Sequence, residues 1–229
     1  MEMAASGLSR KLKVVMLGDG AMGKTYIIKS YIDKECPQET INTAFDNFTA
    51  EFSGKIGGKQ ETVQLTLFDS GGQEGYDELR RLFFPDADVV IMVASVVWPD
   101  SFENIEAKWK REARYYLPQK PVILVGSMID LRGSQDQTDW FVRKLAASGQ
   151  QAISYGEGVS LARKIGAKAY VECSAKTGEG LTEVFTEAVK AFFKEESKRI
   201  VQAQNKSTCF SSICCAITED DHPEIELEG

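Results

Sequence analysis

Histidine is almost absent from this chain of 229 residues, in which His222 is the only one. A serine or cysteine nucleophile would therefore lack a histidine base, which argues against Ser-His and Cys-His catalysis. The sequence also has no Cys/His spacing typical of a zinc site. The five cysteines are an odd number and the first residues contain no apolar leader. Together these features favour an intracellular, reduced protein.

Positive net charge and long apolar runs are lacking as well. The net charge is −7, which argues against a nucleic-acid partner because nucleic-acid binders present basic surfaces. No apolar run is long enough to span a bilayer. Much of the negative charge lies in residues 206–229, which hold one lysine and six acidic residues. With 43% apolar residues, the composition predicts one domain of ordinary size plus a tail.

Short apolar runs alternate with helical patterns along most of the chain. We predict strands at 13–19, 49–53, 62–68, 87–97, 121–127 and 169–174, and helices at 25–33, 101–117, 138–148, 154–165 and 180–204. Ser101 and Ser154 are the predicted N-caps of two helices, Ser154 at capping-box spacing from Glu157. This alternation predicts an α/β fold, a doubly wound, mostly parallel six-stranded sheet with helices on both faces. Ligands of such sheets bind at the carboxyl ends of the strands.

A glycine-rich stretch, GDGAMGKT, follows the first predicted strand and opens the first predicted helix. It fits G-x-x-x-x-G-K-[ST], a loop whose backbone N–H groups surround a phosphate at a helix N-terminus. Lys24 is predicted to bridge the β- and γ-phosphates of a nucleoside triphosphate, and Thr25 to bind Mg²⁺. The predicted nucleotide-binding residues of this segment are Gly18, Asp19, Gly20, Ala21, Met22, Gly23, Lys24, Thr25 and Tyr26.

A second group of candidates follows the predicted strand 62–68. Asp69 is predicted to bind Mg²⁺ through water, and Gly72 to donate a backbone N–H to the γ-phosphate. Gln73 is predicted to orient the attacking water, so Gln73 and Lys24 are the candidate catalytic residues. Thr43, between the first helix and the next strand, is predicted to reach Mg²⁺ and close a loop over the nucleotide.

Several further stretches extend this pattern, among them FDNF, FDSGGQEGYDELRRLFFPDADV, SFENI, VGSMIDLR and YVECSAKTGEGLTEVF. In order and spacing, residues 10–195 resemble the small GTPases of the Ras superfamily, specifically the Rho family. The helix at 138–148 matches the helix that Rho proteins insert. The resemblance implies a P-loop NTPase fold and a GTP/GDP switch that hydrolyses GTP slowly.

Partners are implied by the same resemblance. Exchange factors, GTPase-activating proteins and effectors are expected to bind through residues 36–48 and 70–80. The sequence offers no internal arginine finger, so a separate activating protein is expected to supply one. By resemblance alone, the output would be control of the actin cytoskeleton.

The base pocket is also implied by the resemblance. The carboxylate of Asp130 can accept two hydrogen bonds from guanine N1 and N2, a pair of donors that adenine lacks. Ser127 lies beside it, and Ser174, Ala175 and Lys176 would form the opposite wall of the pocket. Cys173 is interpreted as a buried core thiol.

Four departures from the family pattern lie near the nucleotide. Met128 stands where lysine or glutamine is usual, and Cys36 where a phenylalanine commonly contacts the base. Thr40 and Asn42 replace an aromatic residue and a proline, and Gly71 replaces an alanine and is expected to loosen its loop. We hypothesise that the protein holds guanine nucleotide loosely and exchanges it quickly. An alternative stays open, in which another side chain fills the gap at Cys36.

The sequence predicts three parts, a flexible N-terminus at 1–10, a GTPase domain at 11–195, and a helical extension with an acidic, disordered tail at 196–229. Cys215-Ala216-Ile217-Thr218 resembles a CaaX box, but eleven residues follow it. Prenylation requires the free terminus and is therefore not expected. Cys209, Cys214 and Cys215 as palmitoylation sites, or as unmodified thiols, both stay open. The expected location is cytoplasmic, with membrane association on the cytoplasmic face undecided.

Two other functions compete with a hydrolysing switch. A nucleotide-binding scaffold with little or no hydrolysis would share the phosphate loop, but Gln73 argues against it. An ATP-using P-loop enzyme would share it too, but Asp130 and the Ser174–Lys176 run argue against that assignment.

Overall fold

The computed structural model describes residues 10–39, 43–72, 74–82 and 84–216. Strands and helices alternate along these ranges as predicted. The strands are β1 (Arg10–Leu17), β2 (Phe45–Ile56), β3 (Lys59–Ser70), β4 (Val89–Ser95), β5 (Val122–Ser127) and β6 (Ala169–Glu172). The helices are α1 (Lys24–Asp33), α2 (Asp77–Arg81), α3 (Pro99–Asn104), α4 (Lys110–Tyr116), α5 (Trp140–Ser148), α6 (Tyr155–Ile165) and α7 (Leu181–Ala216).

The six strands form one sheet in the order β2-β3-β1-β4-β5-β6. Only β2 and β3 are antiparallel, and the other neighbours are parallel. The predicted fold is therefore confirmed, including the inserted helix, which is α5. After β1 the chain first builds one side of the sheet and then returns to build the other. This reversal opens a crevice at the carboxyl end of β1, the position where such sheets bind ligands.

The central part of the sheet, next to the crevice, is fully buried. All seven residues of β4 are buried, as expected for a parallel strand covered on both faces. A π-helical turn, Ile105–Trp109, joins α3 to α4 and places Trp109 in the core with no exposed surface. Such turns interrupt α-helices most often at functional sites.

Of the two predicted helix N-caps, one is correct and the other is wrong. Ser154 caps α6, and its capping box with Glu157 is present, which confirms that prediction. Ser101 is not an N-cap, because α3 begins two residues earlier at Pro99. Proline suits the first turn of a helix because it has no backbone N–H, and an N–H at that position would have no partner within the helix. The Ser101 Oγ instead donates to the Trp98 carbonyl at 2.6 Å.

The chain divides into two compact units, Met1–Phe192 and Phe193–Gly229. The first contains the sheet, and the second contains the rest of α7 among its described residues. The domain boundary predicted after residue 195 stays a prediction. No helix in the described ranges combines the length and apolarity needed to cross a membrane.

Candidate nucleotide-binding site

A cavity of about 1,050 Å³ lies at the carboxyl ends of the strands. Pockets for small molecules commonly measure roughly 300–1,000 Å³, so this one is large enough for a nucleotide. Most of the predicted loops contribute to it. Its lining residues are Gly20–Ile27, Cys36–Gln38, Thr43, Ala44, Ser70–Gly72, Tyr76, Ser127, Met128, Asp130, Leu131, Asp139, Phe141, Ala175 and Lys176.

Lys24 opens α1 and lies almost fully buried at the phosphate loop, with 6% of its surface exposed. Its Nζ donates to the carbonyl oxygens of Gly18 at 2.8 Å and Asp19 at 2.6 Å. Burial lowers the pKa of Lys24 to about 8, although the carboxylates of Asp69 and Asp19 act in the opposite direction. A phosphate in the loop would add negative charge next to the ammonium and favour its charged form.

The side chain of Asp19 points away from the cavity. One carboxylate oxygen accepts from Trp109 Nε1 at 2.7 Å, and the other accepts from Asn104 Nδ2 at 2.7 Å. Two helical segments therefore anchor the phosphate loop from behind. Gly18 and Asp19 do not line the cavity, so any contact of Asp19 with a nucleotide would come from its backbone.

Three oxygen-bearing side chains meet where the phosphate loop faces β3. Thr25 Oγ1 donates to Asp69 Oδ2 and lies 2.8 Å from Thr43 Oγ1. The other carboxylate oxygen of Asp69 is buried, and none of the described residues forms a hydrogen bond with it. Burial raises the pKa of Asp69, against the hydrogen bond from Thr25. A buried carboxylate with a spare oxygen beside two hydroxyls has the hard oxygen donors that Mg²⁺ prefers.

The two loops around Thr43 and Gly72 are in contact with each other. Gly71 N–H donates to the Ala44 carbonyl at 3.0 Å. A Cβ on Gly71 would lie 2.6 Å from Tyr76 Cδ2 and 2.9 Å from the carbonyl oxygens of Thr43 and Ala44. Gly71 was expected to loosen its loop, and these distances add a different role, because only glycine permits this approach.

Gln73, Thr40 and Asn42 lie outside the described residues. The roles assigned to them stay predictions. Gly72, which precedes Gln73, lies against the phosphate loop, and a Cβ on it would be 2.2 Å from Gly20 N. The backbone at Gly72 is therefore packed directly against the phosphate loop.

Arg80 lies on α2 with 1% of its surface exposed, and all three guanidinium nitrogens are engaged. Nε and Nη2 donate to the two carboxylate oxygens of Glu112 at 3.0 and 3.1 Å. Nη1 donates to the Gly71 carbonyl at 2.8 Å, and Nη2 also donates to Asp77 at 2.6 Å. The guanidinium of Arg80 is therefore fully occupied by hydrogen bonds within the protein. No arginine among the described residues lines the cavity.

The opposite end of the cavity carries the predicted base contacts. Ser174 Oγ donates to Asp130 Oδ1 at 2.6 Å, which joins the loops after β5 and β6. Ser127 Oγ donates to the carbonyls of Met22 at 2.8 Å and Ala94 at 3.2 Å and so ties β5 to the phosphate loop. Cys173 has no exposed surface, and burial raises its pKa to about 12, as expected for a core thiol.

The two unusual residues of the pocket both line the cavity. Met128 has a left-handed backbone (φ 62°), and its sulfur accepts from Ser95 Oγ at 3.2 Å. Cys36 is half-buried, and its Sγ lies 3.7 Å from the Pro37 carbonyl oxygen. Tyr26, predicted as a nucleotide contact, donates from its hydroxyl to the Glu39 carbonyl at 2.9 Å.

Sequence reasoning missed one wall of the cavity. Asp139 and Phe141, at the start of α5, line it, whereas the sequence identifies α5 only as an inserted helix. Leu131 also lines the cavity and lies in the predicted base loop. Asp139 caps α5 by accepting from Phe141 N–H and Val142 N–H, and this cap orients the first turn. The N-cap could have been predicted from Asp139, because an aspartate directly before an amphipathic run is typical of a helix start. The sequence around Phe141 does not indicate that its side chain reaches the cavity.

Comparison with known proteins agrees with the geometry. The model of the Ras family matches residues 13–194. GTP-binding protein RHO1 of Saccharomyces cerevisiae is 40% identical over 202 residues, which cover 88% of this chain and 93% of that protein. The chain belongs to the Ras family and is a small GTPase, which binds GTP and GDP and hydrolyses GTP. Within that class it is a Rho-like GTPase, a molecular switch that acts with regulators and effectors.

Proposed function

We propose that this GTPase reads guanine through Asp130 and holds the phosphates through the loop that ends at Lys24. One observation carries the proposal, namely that a single cavity is lined by the phosphate loop, by Thr25 and Thr43, and by Asp130. Asp69 and Ser174 lie behind this lining, where they are hydrogen-bonded to Thr25 and Asp130. Ser127, Ala175 and Lys176 complete the base end, and Gly72 and Thr43 close over the terminal phosphate.

Hydrolysis is assigned to Lys24 and Gln73. Lys24 would move its donors from the loop carbonyls to the β- and γ-phosphate oxygens, and Gln73 would hold the attacking water. Arg80 is buried by its own partners, so the arginine that accelerates hydrolysis would come from a separate activating protein. Such an arginine contributes about 10³–10⁵ in rate, and the unassisted reaction is accordingly slow.

The cluster of Thr25, Thr43 and Asp69 fits Mg²⁺. Thr25 and Thr43 would bind the ion directly, and Asp69 would hold it through water. The spare buried oxygen of Asp69 supports this assignment, because it has no hydrogen-bond partner in the part of the chain that the structure describes. The ion would neutralise charge on the phosphate oxygens when it is bound.

The unusual residues of the base end support fast exchange of nucleotide. Cys36 offers no aromatic ring to the base, and Met128 brings no charge over it. Base–aromatic and cation–π contacts together are worth roughly 1.5–4 kcal/mol, so their loss would weaken GDP binding from about tenfold to several hundredfold. We infer that GDP release is correspondingly quick. Phe141 is a candidate for the side chain that partly fills the gap.

Three measurements on the full-length protein test the proposal. GTP and GDP should compete for the site far better than ATP. Cys36→Phe and Met128→Lys should each slow GDP dissociation, and unchanged rates in both would refute fast exchange. Single-turnover hydrolysis of bound GTP should be slow but measurable and should fall in Gln73→Leu, and equal rates would refute the role of Gln73.

Partners and location are proposed from the family alone. Exchange factors, activating proteins and effectors would bind residues 36–48 and 70–80, with actin control as the output. The proposed location is cytoplasmic. Palmitoylation of Cys209, Cys214 or Cys215 would add membrane attachment. Fractionation of the wild type and of the Cys214→Ser and Cys215→Ser variants tests this, and a wild type absent from membranes would rule lipidation out.

A further inference from the structure

The base end of the cavity is built from two separate chain segments, residues 127–132 at the end of β5 and just after it, and residues 173–176 after β6. Two hydrogen bonds join the segments directly. Ser174 Oγ donates to Asp130 Oδ1 at 2.6 Å, and Ile129 N–H donates to the Cys173 carbonyl at 3.4 Å. The second is long for a backbone hydrogen bond, so one firm connection joins these two segments. Cys173 N–H also donates to the Gly126 carbonyl at 2.9 Å, one residue before the first segment.

A stronger connection lies just behind them. Arg132, two residues after Asp130, donates from Nη1 and Nη2 to the two carboxylate oxygens of Glu172, at 2.7 and 2.5 Å. Glu172 lies two residues before Ser174. A bidentate pair fixes orientation as well as distance. Their side chains are 32% and 12% exposed, so solvent screens the pair only in part.

Further contacts hold both partners in place. Arg132 also donates from Nε and Nη2 to the Ile153 carbonyl, at 3.1 and 2.9 Å. The Tyr170 hydroxyl donates to Glu172 at 2.9 Å. Tyr170 fits there because Gly126 and Gly158 lack side chains, since a Cβ on either would lie 2.4 or 2.1 Å from Tyr170. The bidentate contact, the Ile153 carbonyl and the Tyr170 hydroxyl together hold the two side chains in one orientation.

We propose that Arg132 and Glu172 are positioning residues that hold the Asp130 segment and the Ser174 segment in register for guanine. Neither lines the cavity, so both act through Asp130. The inference rests on the proposed function, in which Asp130 accepts two hydrogen bonds from the base. Groups that bind a ligand in this way must be held to within about 0.5 Å and 10–20° of the productive geometry.

The experiment uses the full chain and three variants of the pair. Arg132→Lys keeps the charge and loses the bidentate fork, Glu172→Gln keeps the shape and loses the charge, and the double variant combines them. Lys164→Met is the matched control, because it removes an exposed ion pair with Glu106 (2.6 Å) that lies outside the cavity lining. The readouts are dissociation of a fluorescent GDP and competition by GDP and IDP, which lacks the 2-amino group.

Each single variant should release GDP roughly tenfold faster, and the double variant should be little worse than either, because coupled residues are not additive. The preference for GDP over IDP should fall by about threefold or more, since a misplaced Asp130 loses its contact with the amino group. The control should match the wild type in both readouts.

A purely structural role predicts a different pattern, in which GDP and IDP weaken equally and their ratio is kept. That outcome, or unchanged release in both single variants, would overturn the proposal. If Arg132→Lys does not fold, Glu172→Gln decides in the same way, and Tyr170→Phe gives a milder loss through the same carboxylate. A wild type that binds ADP as well as GDP would instead overturn the proposed function.

Discussion

The loops around Thr43 and Gly72 are the two switch loops of this fold. The buried ion pair between Arg80 and Glu112 offers a sharp test of how the fold supports the second of them. Arg80→Met would leave the Glu112 carboxylate, only 8% exposed, without its bidentate partner. Removing one member of a buried pair costs about 3–5 kcal/mol. The guanidinium also lies 4.9 Å from the centre of the Trp109 ring, and a cation–π contact between groups as buried as these is worth about 2 kcal/mol. We expect the free energy of unfolding to fall by roughly 5–7 kcal/mol.

The assay is urea unfolding with GDP and magnesium held at one fixed excess, because bound nucleotide itself stabilises the folded state. The midpoint of thermal unfolding should fall by on the order of 10 °C for a chain of this size. The double variant Arg80→Met/Glu112→Leu should recover part of the loss, since it removes the unpaired carboxylate. Lys190→Met, which breaks a half-exposed pair with Glu187, should change little.

Two results would refute this account. A loss under about 1 kcal/mol in Arg80→Met would mean that the Glu112 carboxylate is not left buried and unpaired when the arginine is removed. A double variant no more stable than the single would mean that the unpaired Glu112 is not the source of the loss. In either case the contact from Arg80 to the Gly71 carbonyl, at 2.8 Å, would remain as the reason for an arginine at this position.

Three further predictions follow from the cavity. Gly71→Ala should force the two switch loops apart, because its Cβ would meet Tyr76 and the Thr43 and Ala44 carbonyls; amide exchange at residue 71 should become at least about tenfold faster, and an unchanged rate would contradict this. Phe141→Ala should release GDP about threefold to tenfold faster by removing apolar wall area, whereas Tyr115→Ala, which removes an exposed aromatic ring outside the cavity lining, should not; equal rates would contradict the assignment. Iodoacetamide at neutral pH should label Cys36 but not buried Cys173, whose pKa of about 12 leaves almost no reactive thiolate. Peptide mass spectrometry would measure the labelling of each cysteine, and a labelled Cys173 would refute this prediction.

Local patterns were sufficient for most of the fold. The run before Gly18 is a short apolar strand, and a glycine-rich turn follows it. Each of these two elements can be predicted from its own local sequence. The hairpin was underestimated, because its strands extend to Ile56 and back from Lys59, beyond the apolar alternation on which the prediction rested. The outer residues of the hairpin are polar and exposed, and pairing alone makes them strands.

The site was predictable as far as its motifs reached. Thr25, Thr43 and Asp69 are separated in sequence, yet each lies at the carboxyl end of a strand or in the loop that faces it, so topology brings them together. Phe141 and the pair of Arg132 and Glu172 could not be predicted in this way. Their contacts depend on the packing of α5 and on the register between β5 and β6, which no single stretch of sequence encodes.

Met128 changes how the base end should be understood. Sequence reasoning treated it as a lysine that had lost its charge over the base. In the structure its sulfur accepts from Ser95 at the end of β4, and its Cε would lie 3.8 Å from a Cβ on Gly23. Met128 therefore ties the base loop to the end of β4 and lies beside the phosphate loop, whereas Cys36 only fails to supply a ring. Because a lysine ammonium cannot accept the hydrogen bond from Ser95, Met128→Lys changes how the base loop is held, while Cys36→Phe changes contact area alone. Slower GDP release in the two variants would then have separate physical causes.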